Sequence, residues 1–136
     1  MAKGSGTLII GNGDAKDLDD ARQKVRDTGA DGIMLGRAIF GNPWLFSNLR
    51  NQEVAPVVLP EITLQQRLCV MIEHTELFEE LLGDIKNFAT MKKHFKAYVN
   101  GFDGAKELRV KLMETDNSTE VKAIVRDFFD ARVTLP

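Results

Sequence analysis

The chain is 136 residues long, and its 18 Lys+Arg against 20 Asp+Glu leave a formal charge of −2, which excludes a uniformly basic nucleic-acid module. With 43% hydrophobic and 28% charged residues, the composition is that of an ordinary globular chain, far from collagenous or disordered extremes. No apolar run approaches the roughly 18 residues that span a bilayer, and Met1 to Gly6 lacks the apolar stretch of a secretory signal, so a soluble cytoplasmic protein is expected.

Residues 7–10, Thr-Leu-Ile-Ile, form a short β-prone run ended by Gly11-Asn12-Gly13-Asp14, and a second run, Gly32 to Leu35, ends in Gly36-Arg37. Between them Asp17 is placed to cap a helix whose apolar face is Leu18, Ala21 and Val25, with Asp20 near its positive end and Gly29 as its stop. Strand, helix and strand in so few residues make a βαβ unit, which belongs in a parallel sheet covered on both faces. Two strands alone would leave open edges, so this half is expected to need neighbours, from another chain or by self-association. A complete (β/α)8 barrel takes about 250 residues, so any barrel here is part of one. Pro43 then suits the first turn of a helix running to about Arg50, with Trp44 and Phe46 packed as anchors. Residues 51–61 hold two prolines without helical period and read as an extended linker.

From Thr63 onward the pattern is helical. Leu64, Leu68, Met71/Ile72, Phe78 and Leu81/Leu82 form one face of a helix capped by Thr63 and stopped by Gly83. Phe88, Met91, Phe95, Tyr98 and Phe102 step through a second helix. A third runs from Ala105 to about Thr115, and a fourth from Ser118 to about Arg132. The expected fold class is therefore α/β plus all-α: residues 1–50 as a βαβ part of a parallel sheet, a linker over 51–61, and residues 62–136 as a four-helix-bundle-like domain.

The near-neutral charge is unevenly distributed. Residues 61–85 carry 1 basic and 6 acidic groups, whereas residues 86–111 carry 7 basic and 2 acidic ones. On one continuous helix Lys86, Lys92, Lys93 and Lys96 would fall within about 120° of each other beside the apolar face, an arrangement suited to a polyanion or simply to a solvated surface. The glycine turns Gly11 to Asp14 and Gly36-Arg37 both follow strands, where backbone N–H groups and a guanidinium fork can hold a phosphate. Alternatively the glycines serve tight turns and Arg37 pairs with Asp14 or Asp31. No Walker or GxGxxG fingerprint occurs. His74 with Glu73 and Glu76 lacks metal-ligand spacing, and no metal site is expected. Cys69 is the single cysteine, which leaves no internal disulfide, and it reads as a buried structural thiol. The acidic run Glu73, Glu76, Glu79, Glu80 and Asp84 reads as a solvated face.

Three ordered segments, Ile10 to Asp14, Thr28 to Arg37 and Gly41 to Phe46, closely resemble the last two barrel strands of the bacterial tRNA-dihydrouridine synthases. Met91-Lys92-Lys93-His94, Tyr98, Gly101, Gly104-Ala105 and Glu107-Leu108-Arg109 resemble that family's C-terminal helical domain. The resemblance implies that residues 1–50 are the C-terminal fragment of an FMN-binding TIM (β/α)8 barrel, and that the activity is FMN-dependent reduction, by NADPH, of the C5=C6 bond of uridines in tRNA. It places the flavin phosphate at Asn12, Gly13, Asp14, Gly36 and Arg37, and tRNA contacts at Lys92, Lys93, His94, Lys96 and Arg109. The family's proton-donating cysteine and flavin-contacting lysine belong to earlier barrel loops, so no catalytic residue is expected here and the isolated chain is expected to be inactive. The implied partner is tRNA, with neither DNA nor membrane. The rival readings are a non-catalytic RNA-binding module and a part of another FMN- or sugar-phosphate-binding barrel.

Overall fold

The computed structural model of the chain describes residues 6–47 and 61–133. The chain divides into two compact units, residues 1–59 and 60–136. The linker expected over 51–61 lies outside the described residues except for Glu61.

In the first unit a strand β1, Ile10–Asn12, is followed by a helix α1, Leu18–Thr28, and a strand β2, Gly32–Met34. The strands are parallel, with Ile10 opposite Gly32, Gly11 opposite Ile33 and Asn12 opposite Met34. Strand β1 lies later than the apolar run 7–10 because it is the backbone of Gly11 and Asn12, rather than the side chains of Thr7 to Ile9, that pairs with β2. A Cβ at Gly11 would come within 2.7 Å of the tip of the Ile33 side chain, which would have to shift to admit it. Asp31 ties down the start of β1: its carboxylate accepts from the Ile9 N–H at 2.8 Å, and its own N–H donates to the Ile9 carbonyl at 2.9 Å.

Helix α1 begins and ends where its cap residues dictate. The Asp17 side chain accepts from the Asp20 N–H at 2.8 Å, and Gly29 closes the helix at φ 67, a left-handed conformation that glycine adopts without a Cβ clash. Ala21 is its buried residue. Along the exposed side, Arg22 pairs with Asp19 and Lys24 with Asp20, the three- and four-residue spacings that bring side chains together on a helix.

After β2 the chain enters a short 3-10 turn, Arg37–Ile39, and then further turns through Ser47. The helix expected from Pro43 is therefore not formed over 43–47; its last residues, 48–50, lie outside the described part. The Leu45 and Ser47 amides close tight three-residue turns onto Asn42 and Trp44 instead. The anchor of this segment is Leu45, which is buried, while Trp44 is half-buried and Phe46 is exposed.

The second unit is helical, with α2 over Leu64–Leu82, α3 over Lys92–Tyr98, α4 over Ala105–Leu112 and α5 over Ser118–Val133. Thr63 caps α2 in both directions: its hydroxyl accepts from the Gln66 N–H, and the Gln66 side chain accepts from the Thr63 N–H. The helix expected over 88–102 is broken. Phe88–Met91 forms a 3-10 turn led by Asn87, whose side chain accepts from the Ala89 N–H, and only Lys92–Tyr98 is α-helical. Phe102 thus stands outside α3, and its ring packs at 5.9 Å against Phe128 of α5.

Helix α2 packs on α3 and α5, and α4 packs on α3 and α5. The core at their centre contains Leu68, Met71, Met91, Phe95, Leu108, Leu112 and Val121, all essentially sealed from solvent. The acidic face of α2 is not simply solvated. Glu76 pairs with Lys122 of α5, and Glu79 accepts from the Ser118 N–H at 2.9 Å, placing a carboxylate on the positive end of α5. Cys69 is exposed rather than buried, because it lies on the side of α2 opposite Met71 and Thr75.

Candidate phosphate and nucleic-acid sites

Each unit carries one of the residue sets that the sequence singles out. In the first, Asn12 ends β1, with Gly13 and Asp14 following it, while Gly36 and Arg37 follow β2. Because the strands are parallel neighbours, both glycine turns stand at the carboxyl end of the same sheet. All five residues are exposed. A Cβ at Gly13 or Gly36 would meet nothing within 4 Å, so open space lies beside both turns. Asp14 takes φ 29, a left-handed conformation that aspartate tolerates better than most residues.

The structure brings Arg37 and Asp14 together as an ion pair across the two turns. Asp31, the other carboxylate considered for Arg37, is engaged with Ile9. The pair holds the guanidinium at the strand ends, and one of its N–H groups is spent on Asp14, leaving the remainder of the fork for an anion. Open space beside two glycines, together with an exposed guanidinium at the ends of adjacent parallel strands, fits a phosphate group.

In the second unit Lys92, Lys93, His94 and Lys96 all lie on α3, and Arg109 lies on α4. Lys93 and Lys96 are exposed, whereas Lys92, His94 and Arg109 are half-buried. Lys86 precedes the 3-10 turn, so the four-lysine row expected on one helix is reduced to the three on α3. His94 is turned toward α2: its ring stands edge-on to His74 with 4.8 Å between centroids. Burial pushes its pKa below the usual histidine value, and the neighbouring His74 and Lys93 charges add to that shift. His74 is half-buried; its Nδ1 lies 3.3 Å from the Tyr98 hydroxyl, and burial lowers its pKa as well.

Arg109, expected to contact tRNA, has an intramolecular partner. Its Nη1 donates to the Val99 carbonyl at 3.2 Å, just past the end of α3. Arg67 of α2, which the sequence reading did not single out, donates from Nη1 to the next carbonyl, Asn100, at 3.1 Å. The signal that marks Arg67 in the sequence is a negative one: the residues three and four positions away, Thr63, Leu64, Val70 and Met71, include no carboxylate to pair with it. Among the described residues no group of three or more His, Cys, Asp or Glu is placed to hold a metal, and no helix is long and apolar enough to cross a membrane.

A family model described as dihydrouridine synthase (Dus) matches residues 2–133. The chain is 29% identical over 121 residues to a protein named tRNA-dihydrouridine synthase B from Pseudomonas syringae pv. tomato, covering 89% of this chain and 36% of that protein. It is 33% identical over 123 residues to a Staphylococcus aureus protein named "Probable tRNA-dihydrouridine synthase", covering 90% and 35% of the two chains. A Staphylococcus epidermidis protein of the same name is 34% identical over 128 residues, covering 93% and 36%. The chain spans about a third of the length of the curated relatives it matches.

Proposed function

Since the chain belongs to the dihydrouridine synthase family, we propose that it supplies a flavin-phosphate site and a tRNA-binding helical domain to a tRNA-dihydrouridine synthase. The observation that carries this reading is the meeting of Gly13, Asp14, Gly36 and Arg37 at the carboxyl ends of two parallel strands, in a chain whose other unit presents lysines on one short helix.

The first unit is read as the C-terminal part of a (β/α)8 barrel, and residues 62–136 as the helical domain, with 51–61 between them. In the barrel part, Asn12, Gly13, Asp14, Gly36 and Arg37 would hold the phosphate of FMN: the glycines by leaving room for close approach, Arg37 by its charge and fork, and Asp14 by positioning Arg37. FMN, once reduced by NADPH, would supply a hydride, which together with a proton would saturate the C5=C6 bond of uridine. None of the residues described is assigned the proton transfer, and the chain by itself is proposed to bind rather than to catalyse. Ile10 and Met34 are exposed on the two-stranded sheet and Leu8 just before it, an apolar surface that neighbours would cover, either from the rest of a barrel or from a second copy. A cytoplasmic location accords with a tRNA substrate.

In the helical domain Lys92, Lys93, Lys96 and Arg109, with His94 beside them, would face the RNA. A binding titration of unmodified tRNA at two salt concentrations tests this, with a Lys93→Ala/Lys96→Ala variant alongside. Each phosphate contact contributes about 0.7 to 0.9 to the slope of log affinity against log salt, so the variant, which loses two, is expected to bind more weakly, with a slope smaller by about 1.4 to 1.8. Unchanged affinity and slope in the variant would remove the lysines from the interface. Salt-dependent tRNA binding with no affinity for FMN would favour instead a non-catalytic RNA-binding module, the reading that rests on the lysines of α3 alone.

A further inference from the structure

We propose that Arg67 and Arg109 form one oxyanion site, at the bend that follows α3, which takes phosphodiester groups of an RNA backbone. The proposal rests on the RNA-binding reading and adds to it a site, a residue and a geometry.

Two guanidiniums from different helices converge on consecutive carbonyls. Arg109 Nη1 reaches Val99 O and Arg67 Nη1 reaches Asn100 O, and consecutive Cα atoms are only about 3.8 Å apart. Each guanidinium carries five N–H donors in a planar fork, so one bond to a carbonyl leaves most of the fork unspent. Both side chains are permanently charged.

The acids nearest in sequence to the bend are Asp103, which pairs with Arg132, and Glu107 in the first turn of α4, and neither is paired with Arg67 or Arg109. Among the described residues neither arginine lies within ion-pair distance of a carboxylate, whereas Arg22, Lys24, Lys122 and Arg132 each do. The positions three and four away from Arg109, which are Ala105, Lys106, Leu112 and Met113, contain no acid, just as those around Arg67 do not. Capping the end of α3 needs one cation, and its dipole amounts to about half a charge; two full charges on a seven-residue helix exceed that requirement.

The surroundings favour an extended polyanion. Lys96 lies in the last turn of α3 and Lys106 in the first turn of α4, both exposed, so cations stand on either side of the bend. Gly101 turns the chain at φ 75, and a side chain there would meet nothing within 4 Å, which leaves open space beside the two carbonyls. A phosphodiester offers two equivalent oxygens to a guanidinium fork.

The first test uses the unaltered chain labelled with nitrogen-15. The Nε–Hε signals of Arg67 and Arg109 are followed as unmodified tRNA, and separately inorganic phosphate, is added at two salt concentrations. Both signals are expected to shift saturably with tRNA, less so at high salt, and to need at least tenfold more inorganic phosphate. If tRNA moves the Lys92 to Lys96 amides but leaves both arginine signals still, the site is overturned and the RNA-binding reading stands. If no signal responds to tRNA, both fall. An equal response to phosphate and tRNA would overturn the polyanion as the ligand. As a second measurement, Arg67→Gln is expected to weaken tRNA binding by roughly threefold to tenfold and to reduce the salt slope by about 1, while Arg67→Lys keeps the slope. A purely structural cap would lower the melting temperature in Arg67→Gln and leave the salt slope untouched.

Discussion

The hydroxyl of Tyr98 on α3 lies 3.3 Å from Nδ1 of His74 on α2, and the ring of His94 stands edge-on to the same imidazole. Burial lowers the pKa of both histidines, and for His94 the charges of His74 and Lys93 lower it further. A histidine that is harder to protonate when folded stabilises the fold above its unfolded value of 6.5, and that stabilisation is lost as pH falls from there through the lowered folded values. The helical unit is therefore expected to melt at progressively lower temperature as pH drops from 7.5 toward 5. His94→Gln removes one of the two imidazoles, and circular-dichroism melts of this variant should show a shallower pH dependence. An identical pH dependence in the variant and the unaltered chain would rule out the histidine pair as the cause.

Much of this architecture is legible in the sequence because local chemistry decides it. Asp17 and Gly29 bound α1, and Thr63 begins α2, since caps act through neighbouring backbone groups and need no tertiary information. The glycine turns of the candidate phosphate site are legible for the same reason. What period-counting misses is set by packing. The run from Phe88 to Phe102 keeps an apolar spacing of three and four, yet Asn87 draws the backbone into a 3-10 turn and Val99 leaves helical geometry with ψ 80. Arg67 and His74 likewise acquire their partners from residues 33 and 24 positions away, which no local pattern encodes. Cys69 follows Leu68 in an apolar stretch, but one step of 100° carries it from the core to the surface.

Phe95 is wholly buried, and its ring lies 6.1 Å from that of Phe88, which in turn lies 6.4 Å from Phe78. Truncating it removes the α3 end of an aromatic row that runs through Phe88 of the 3-10 turn to Phe78 of α2. Phe95→Ala is expected to cost about 3 to 5 kcal/mol, the usual range for a buried phenylalanine, and a small helical domain loses most of its stability on that scale. Urea denaturation measures the change; a cost below about 1 kcal/mol would mean that the core closes over the gap.

Gly104 caps the start of α4 at φ 76, and a Cβ there would stand 3.2 Å from the Phe128 ring of α5. Two penalties therefore fall on Gly104→Ala, the left-handed backbone and the tight contact. The backbone alone costs about 1 to 2 kcal/mol. Phe128 also packs on Phe102 and lies under the Arg132 guanidinium at 4.8 Å, which limits how far it can retreat. A comparison with Gly101→Ala, which carries the same backbone cost at φ 75 and meets nothing within 4 Å, isolates the contact. Gly104→Ala should lower the melting temperature more than Gly101→Ala; equal shifts would show that Phe128 moves aside freely.

Arg37 and Asp14 are both exposed, so their ion pair contributes little to stability, on the order of 0 to 1 kcal/mol. Its value lies in where it holds the guanidinium. Replacing Arg37 with Lys keeps the charge and loses the fork, and Gly13→Ala fills open space beside the turn without touching any protein atom. Both variants are expected to melt within about 2 °C of the unaltered chain, since surface changes away from packed features are nearly neutral. Affinity for FMN, followed by the quenching of its fluorescence, should nevertheless fall in both, by about tenfold for Arg37→Lys if the fork binds the phosphate in two places. Riboflavin, which lacks the phosphate, should bind the unaltered chain no better than it binds either variant. Equal FMN affinity in all three proteins would place the phosphate elsewhere and leave the two glycine turns as turns.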